Sequence, residues 1–179
     1  MKALVVYESM YGNTATVGEA IAASLRAQGL EVEAGLVSKI DPAETAEVDL
    51  LVVGGPTHVH GVSTAATRKS AASDEKNSFP EPTIEPGLRG WVKRLPSGKG
   101  RLAAAFDTRI DKPIILTGSA AKGIGRRLKG RGFRLVADPQ CFLVSTQNRL
   151  IDGEVEHATT WGTEIAGLSE GVYTGASGR

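Results

Sequence analysis

The stretch Lys2–Gly29, KALVVYESMYGNTATVGEAIAASLRAQG, decides the fold. Ala3 to Tyr7 is wholly apolar or aromatic and stops at Glu8, the pattern of a short parallel strand buried on both faces. Farther on, Val17, Ala20, Ile21, Ser24, Leu25 and Gln28 recur at the three-four spacing of one helical face, and Gly29 supplies a C-terminal cap. Between strand and helix lies ESMYGNT, residues 8–14. Gly12 can take a positive φ there, Asn13 is a good N-cap, and Ser9 and Thr14 place hydroxyls on either side of the backbone amides. Such a turn gathers unpaired N–H groups and the positive end of a helix dipole on one point, which suits an anion. Gly-Asn-Thr alone is equally compatible with a turn that serves folding only. Thr16 and Glu19 form a competing capping box, so the helix starts after Asn13 or after Thr16. The turn lacks both the lysine of a phosphate-binding NTPase loop and the G-x-G-x-x-G of a dinucleotide fold.

Leu30 to Val37 begins with apolar and acidic residues in alternation, as on an edge strand with one wet face. The acidic run from Asp41 to Val48 reads as a short helix or turn, and Leu50–Gly54 as a second fully apolar strand. A β-α-β-α-β half-unit with right-handed crossovers is the economical topology. At the end of the second core strand stands GGPTHVHG, residues 54–61, followed by a helix start at Val62 to Thr67. Ligands of open α/β sheets bind beyond the C-terminal strand ends, so this loop should share one crevice with Ser9–Thr14. His58 and His60 could hold a metal, but no cysteine or carboxylate lies at ligand spacing; one of them presenting a ring or a hydrogen bond to the ligand is the stronger reading.

Lys69–Pro86 is polar and proline-bearing, an irregular surface segment able to cover the crevice. Gly87–Leu95 reads as a short helical piece with Trp91 in the core. Leu102–Phe106 is the third core strand, and Asp107, Thr108, Arg109 and Ile110 form a third loop at the crevice. Ile114–Ser119 leads into a helix over Ala120–Lys129, with Ala121, Ile124 and Leu128 inward. Asp138-Pro139 interrupts the last strand or divides it into two pieces, Phe133–Val136 and Phe142–Val144. A final helix over Glu154–Leu168 turns Ala158, Trp161, Ile165 and Leu168 to one face. These elements make one domain, residues 1–170, with a flexible tail at 171–179.

With 179 residues and 41% apolar content the chain fills one globular domain, and it has no run long enough for a membrane span. The first apolar stretch ends too soon for a signal-peptide core, and the single cysteine, Cys141, allows no internal disulfide. A cytoplasmic protein is expected, with Cys141 as a small core residue. The net charge is +1, but residues 87–134 hold thirteen basic and two acidic residues, +11, which leaves −10 for the remainder. That polarity favours an anionic partner or substrate at the basic segment, with solvated helix faces as the alternative. Its aromatics do not interleave with its charges, which argues against nucleic acid.

With three loops in place, the sequence resembles the flavodoxin-like family over essentially the whole chain. VVYESMYGNT is similar to the family's strand and FMN-phosphate loop, GGPTHVHG to its second flavin-binding loop, and FDTR falls where the third would be. The resemblance implies an α/β three-layer sandwich, a five-stranded parallel sheet of order 2-1-3-4-5 with helices on both faces. It implies FMN, with the phosphate on Ser9, Met10, Tyr11, Gly12, Asn13 and Thr14. The isoalloxazine ring would lie between Pro56, Thr57, His58, Val59, His60 and Gly61 on one side and Asp107, Thr108 and Arg109 on the other. The chain departs from electron-carrier flavodoxins in having Tyr11 where a hydroxyl residue is usual, no Trp or Tyr in the second and third loops, and Arg109 in place of an acidic surround. The implied function is electron or hydride transfer, as a quinone-type reductase or as a one-electron carrier docking on a redox partner protein. The alternative is the same fold without flavin, acting as an interaction domain. Arg109 is expected at the ring edge, stabilising the charge that develops on reduction, or else paired with Asp107 or Asp111.

Overall fold

A computed structural model describes residues 1–58, 61–74, 77, 79, 80 and 86–176. The first strand, β1 (Lys2–Tyr7), lies between β2 (Glu31–Leu36) and β3 (Leu50–His58), parallel to both. On the far side of β3 runs β5 (Leu102–Ile110), also parallel; it pairs in turn with β6 (Arg134–Leu135) and β7 (Gln140–Val144). With the last two strands as halves of one, the order is the expected 2-1-3-4-5. Val136 to Pro139 separates those halves, consistent with a proline that cannot donate to a ladder. The short β4 (Gly61–Val62) folds back antiparallel on the end of β3.

Alternation along β1 builds the two cores. Ala3, Val5 and Tyr7 face α1 (Asn13–Ala27) and α6 (Glu154–Ala176), against Ile21, Leu25, Trp161, Ile165, Phe106 and Phe142. Leu4 and Val6 face the opposite layer, α3 (Leu88–Lys93) and α5 (Ala120–Gly130), against Trp91, Leu95, Ile124 and Leu128. Each such side chain contributes about 1.5–3 kcal/mol relative to exposure, which explains why the stretches Leu50–Val53 and Leu102–Phe106 of the central strands are wholly apolar. The Ser24 hydroxyl joins α1 to α6 by donating to the Thr159 carbonyl at 2.7 Å. Trp91 is buried as expected, its indole N–H donating to the Ile40 carbonyl at 2.8 Å.

The run at 41–48 forms a short helical turn as expected, a 3₁₀ turn over Pro42–Glu47 capped by Asp41 with Glu44 returning the bond. Several other expectations need correction. The segment after Val62 forms α2 (Ala65–Ala72), capped by Thr64, so the polar 69–86 stretch starts as helix. Leu168 is 42% exposed, because the inward row of α6 runs Trp161, Ile165, Ser169 at four-residue spacing, and Leu168 falls beside it. That helix also continues through Gly171 to Ala176 where a flexible tail is expected, with Val172 packed on the flank of the core. Gly29 closes α1 at φ 86°, with the Leu30 N–H returning to the Leu25 carbonyl.

Candidate functional site

The C-terminal ends of β1, β3, β5 and β7 surround a cleft of about 200 Å³, lined by Met10, Tyr11, Asn13, Thr14, Pro56, Thr57, His58, Thr108, Arg109, Ile110, Val144 and Asn148. All three expected loops therefore meet in one place. A larger concavity of about 410 Å³ lies where β1 and β2 begin, rimmed by Glu31, Glu33, Glu44 and Glu47. It sits at the N-terminal strand ends, away from the loops that gather ligands in open α/β sheets, so the smaller cleft is the candidate site.

The first loop is set by Gly12. Its φ of 91° reverses the chain into α1, and it rather than Asn13 is the N-cap. The first backbone bond of the helix runs from the Thr16 N–H to the Gly12 carbonyl at 2.9 Å, so the Asn13 and Thr14 amides precede any intrahelical acceptor. The Thr16–Glu19 capping box does not form; Glu19 instead accepts from the Tyr7 hydroxyl at 2.6 Å. Asn13 donates its side-chain amide to the Asn148 carbonyl at 2.9 Å, which joins the first loop to the turn after β7. The Thr14 and Thr108 hydroxyls share a buried bond of 2.7 Å, joining the first loop to the third. Ser9 is buried behind the cleft, its oxygen accepting from the Ala15 N–H at 3.3 Å.

The 69–86 segment does reach this loop. Tyr11 donates to Asp74 at 2.9 Å, Asn77 donates to the Met10 carbonyl at 3.0 Å, and the Phe79 ring covers Gly12. Burial raises the Tyr11 pKa, and the bond to Asp74 and its charge push in the same direction. The second loop is a hairpin: His58 pairs with Gly61, and Thr57 with Val62. Val59 and His60 lie outside the described residues. His58 lines the cleft, and burial lowers its pKa, which favours the neutral imidazole.

At the third loop the strand runs longer than expected, in register with β7 from Phe106 to Ile110. Asp107 consequently stands within the sheet, fully buried behind the cleft wall. One carboxylate oxygen accepts from the Thr57 hydroxyl at 2.9 Å, the Ser119 hydroxyl at 2.8 Å and the Ala121 N–H at 2.8 Å. Arg109 pairs with neither Asp107 nor Asp111. Its Nη1 donates to the Lys112 carbonyl at 2.7 Å and the Ile110 carbonyl at 3.3 Å, closing its own loop. Cys141 is half-buried, not core, and its thiol sulfur lies 3.5 Å from the Ser119 hydroxyl; burial and the Asp107 charge push its pKa up.

Ile110, expected with the third loop, also lines the cleft, whereas Val144 and Asn148 complete the lining and were not read from the sequence. The signal for Asn148 is the Ser145–Arg149 turn at the end of a core strand; Asn148 there takes φ 56°, a left-handed conformation that asparagine tolerates. Among the described residues no group of three or more histidine, cysteine or acidic residues could hold a metal, and no helix is long and apolar enough to cross a membrane.

Residues 5–160 match the flavodoxin family model, and the chain belongs to that family. Its fold is shared with a flavodoxin from the domain Archaea at 20% identity and TM-score 0.66, over 95% of this chain and 99% of that one. Oxidised flavodoxin 1 from Bacillus cereus matches at 18% identity and TM-score 0.67, over 93% of this chain and 98% of that one. The rubredoxin:oxygen oxidoreductase from Desulfovibrio gigas matches at 20% identity and TM-score 0.63, over 95% of this chain but 36% of its own length. Among curated proteins none matches the sequence.

The residues present fit a flavin mononucleotide on two counts. The start of α1 offers amides without intrahelical acceptors beside a left-handed glycine, a donor set for a phosphate dianion. Arg109, on the cleft wall, keeps a buried Nε–H that meets no oxygen acceptor among the described residues, its guanidinium lying beside the Cys141 sulfur, and so has donor capacity for a ligand oxygen.

Proposed function

We propose that the protein binds FMN non-covalently in the cleft and works in electron or hydride transfer, as a carrier for a redox partner or as a quinone-type reductase of the cytoplasm. The observation that carries this reading is the convergence of three strand-end loops on one cleft, with Asn13 and Thr14, the first residues of α1, in its lining. When bound, the flavin supplies the redox chemistry, so the protein needs no side-chain nucleophile. Its own residues bind and orient. The Asn13 and Thr14 amides face the phosphate, Pro56, Thr57 and His58 border the ring, and a neutral His58 adds no charge beside it. Arg109 offers its Nε–H to a ring oxygen while Nη1 keeps the loop closed.

Titration of the purified protein with FMN, followed by quenching of flavin fluorescence, tests this reading. Saturable one-to-one quenching supports it, and its absence overturns it. Asn13→Asp should weaken binding at least about tenfold, because the new carboxylate stands near the phosphate, where even a screened repulsion of about 1.4 kcal/mol has that effect. Unchanged affinity in that variant would remove the phosphate from this loop. Anaerobic mixing of the loaded protein with NADH or NADPH separates the two roles: direct bleaching of the flavin marks a reductase, and its absence a carrier.

A further inference from the structure

Immediately beyond the cleft stand the two most exposed large aliphatic residues among those described, Ile115 and Leu116, beside two further exposed isoleucines. Ile115 is 85% exposed, Leu116 62% and Ile114 40%, all within α4 (Ile114–Thr117), and Ile110 at the cleft wall is 38% exposed. Scattered exposed aliphatics are ordinary, but a run of three on one turn is not. The turn is firmly built. Leu116 N–H bonds the Pro113 carbonyl at 2.9 Å, Gly118 N–H the Ile114 carbonyl at 2.7 Å, and Asp111 N–H the Val144 carbonyl at 2.9 Å. The Arg109 guanidinium ties its base through Lys112. A chain that spends an arginine and a left-handed Gly118 at φ 70° on holding isoleucine and leucine in water is presenting them.

The flanking charges say to what. Lys112 precedes the turn, and Lys122 and Arg126 project from α5 just after it, all exposed. Several other cations of the basic segment are occupied within the fold: Arg89 binds the Val62 and Ser63 carbonyls, Arg101 the Thr45 carbonyl and Arg127 the Gly123 carbonyl. Lys112 and Lys122 stay outward on either side of the turn in sequence, against the exposed Asp111.

We propose that residues 110–117 form a docking knob for a separate redox protein, whose face offers an apolar socket within an acidic rim. The partner's redox character rests on the proposed FMN reading; the apolar and electrostatic fit does not. A second copy of this chain is the competing occupant, since the glutamate-rimmed concavity of β1 and β2 is acidic. That contact would be head-to-tail, building a ring or a filament rather than a two-fold dimer, and would set each cleft against the wrong end of the next sheet.

The probe is a small acidic [2Fe–2S] protein immobilised on a biosensor, so that association is read without any flavin signal. Wild type should bind, with an association rate that falls as salt rises. Ile115→Ser with Leu116→Ser should weaken binding about tenfold or more through slower-forming and faster-breaking contacts, as loss of an interface anchor does. Lys122→Glu should slow association alone. Both variants should keep the FMN affinity and thermal midpoint of wild type, because the altered side chains are outside the cleft and exposed. No binding by wild type, or equal binding by the Ile115 and Leu116 variant, overturns the proposal. So does sedimentation showing that wild type self-associates through these residues. Failure of FMN titration with binding intact would overturn the flavin reading and leave the knob standing.

Discussion

Two carboxylates stand toward the C-terminal ends of the core strands on either side of β3, and both are fully buried: Glu8 after β1 and Asp107 in β5. Glu8 is compensated by a cation. One oxygen accepts from the Ser63 hydroxyl, the other from the Leu88 N–H at 2.7 Å, and the Arg68 guanidinium lies 4.0 Å away, itself nearly buried. Room for that guanidinium exists because residue 87 is glycine; a Cβ there would fall 2.1 Å from Arg68 Nη1. Asp107 has only neutral donors, two hydroxyls, the Ala121 amide at the start of α5 and the Cys141 thiol beside it, and its other oxygen meets no N–H or O–H donor among the described residues. The first acid joins β1, α2 and α3 away from the cleft. The second orients Thr57 and α5 directly behind the cleft, and its charge is felt at Cys141. Equal burial thus hides different roles: one charge closed off by an ion pair, the other held by dipoles and still projecting a field.

Removing the cation is the severest way to break the comparison. Arg68→Met should cost about 3–5 kcal/mol in urea unfolding, because it leaves Glu8 buried without its countercharge. Adding Glu8→Gln should restore much of that loss, since a neutral amide no longer needs a cation. A single variant within about 1 kcal/mol of wild type would show that the hydroxyl and amide donors suffice for Glu8 as they do for Asp107. A smaller effect is expected at the second acid. Asp107→Asn should cost about 1–3 kcal/mol, as a carboxamide N–H enters a place without an acceptor. It should also lower the Cys141 pKa, because the negative charge that helps to raise it is gone. The pH dependence of thiol alkylation reads this directly, and an unmoved profile would confine the Asp107 field to its own hydrogen bonds.

Sheet order, both cores and the meeting of the first and second loops were legible because strand burial and helical periodicity write themselves into residue type. Val5 and Leu4 differ in the face they occupy but not in the need to be apolar. The ends of elements were less legible. Asp107-Thr108-Arg109 looks like a loop by composition, yet pairing with Cys141-Phe142-Leu143 keeps it in the sheet, and a partner strand some thirty residues on is invisible to local pattern. Leu168 fitted one helical face on paper, and a shift of one position in the inward row exposed it. The Glu8–Ser63–Arg68 cluster was illegible for the same reason: burial of a charge depends on which cation the tertiary fold delivers.

His58 gives the finest test of how far these two charges reach, since β3 runs between β1 and β5 and its end carries the imidazole into the cleft. Its pKa is lowered from 6.5, and burial alone accounts for the shift, with no contribution from either carboxylate. The unfolded chain therefore binds a proton more readily than the folded one. Stability should be constant above pH 6.5 with respect to this group and should fall as pH drops from there toward the folded pKa, with a slope of at most about 1.4 kcal/mol per pH unit. His58→Asn should remove that component of the slope in urea titrations at pH 7.5 and pH 5.5. Titration of the His58 ring by NMR in the Asp107→Asn variant then sharpens the point. An unchanged midpoint confirms that the hydroxyls of Thr57 and Ser119 and the α5 amide contain the Asp107 charge on this side. A drop of more than about 0.3 unit, roughly 0.4 kcal/mol, would mean that its field crosses β3 into the cleft, where it would also oppose reduction of any flavin held there.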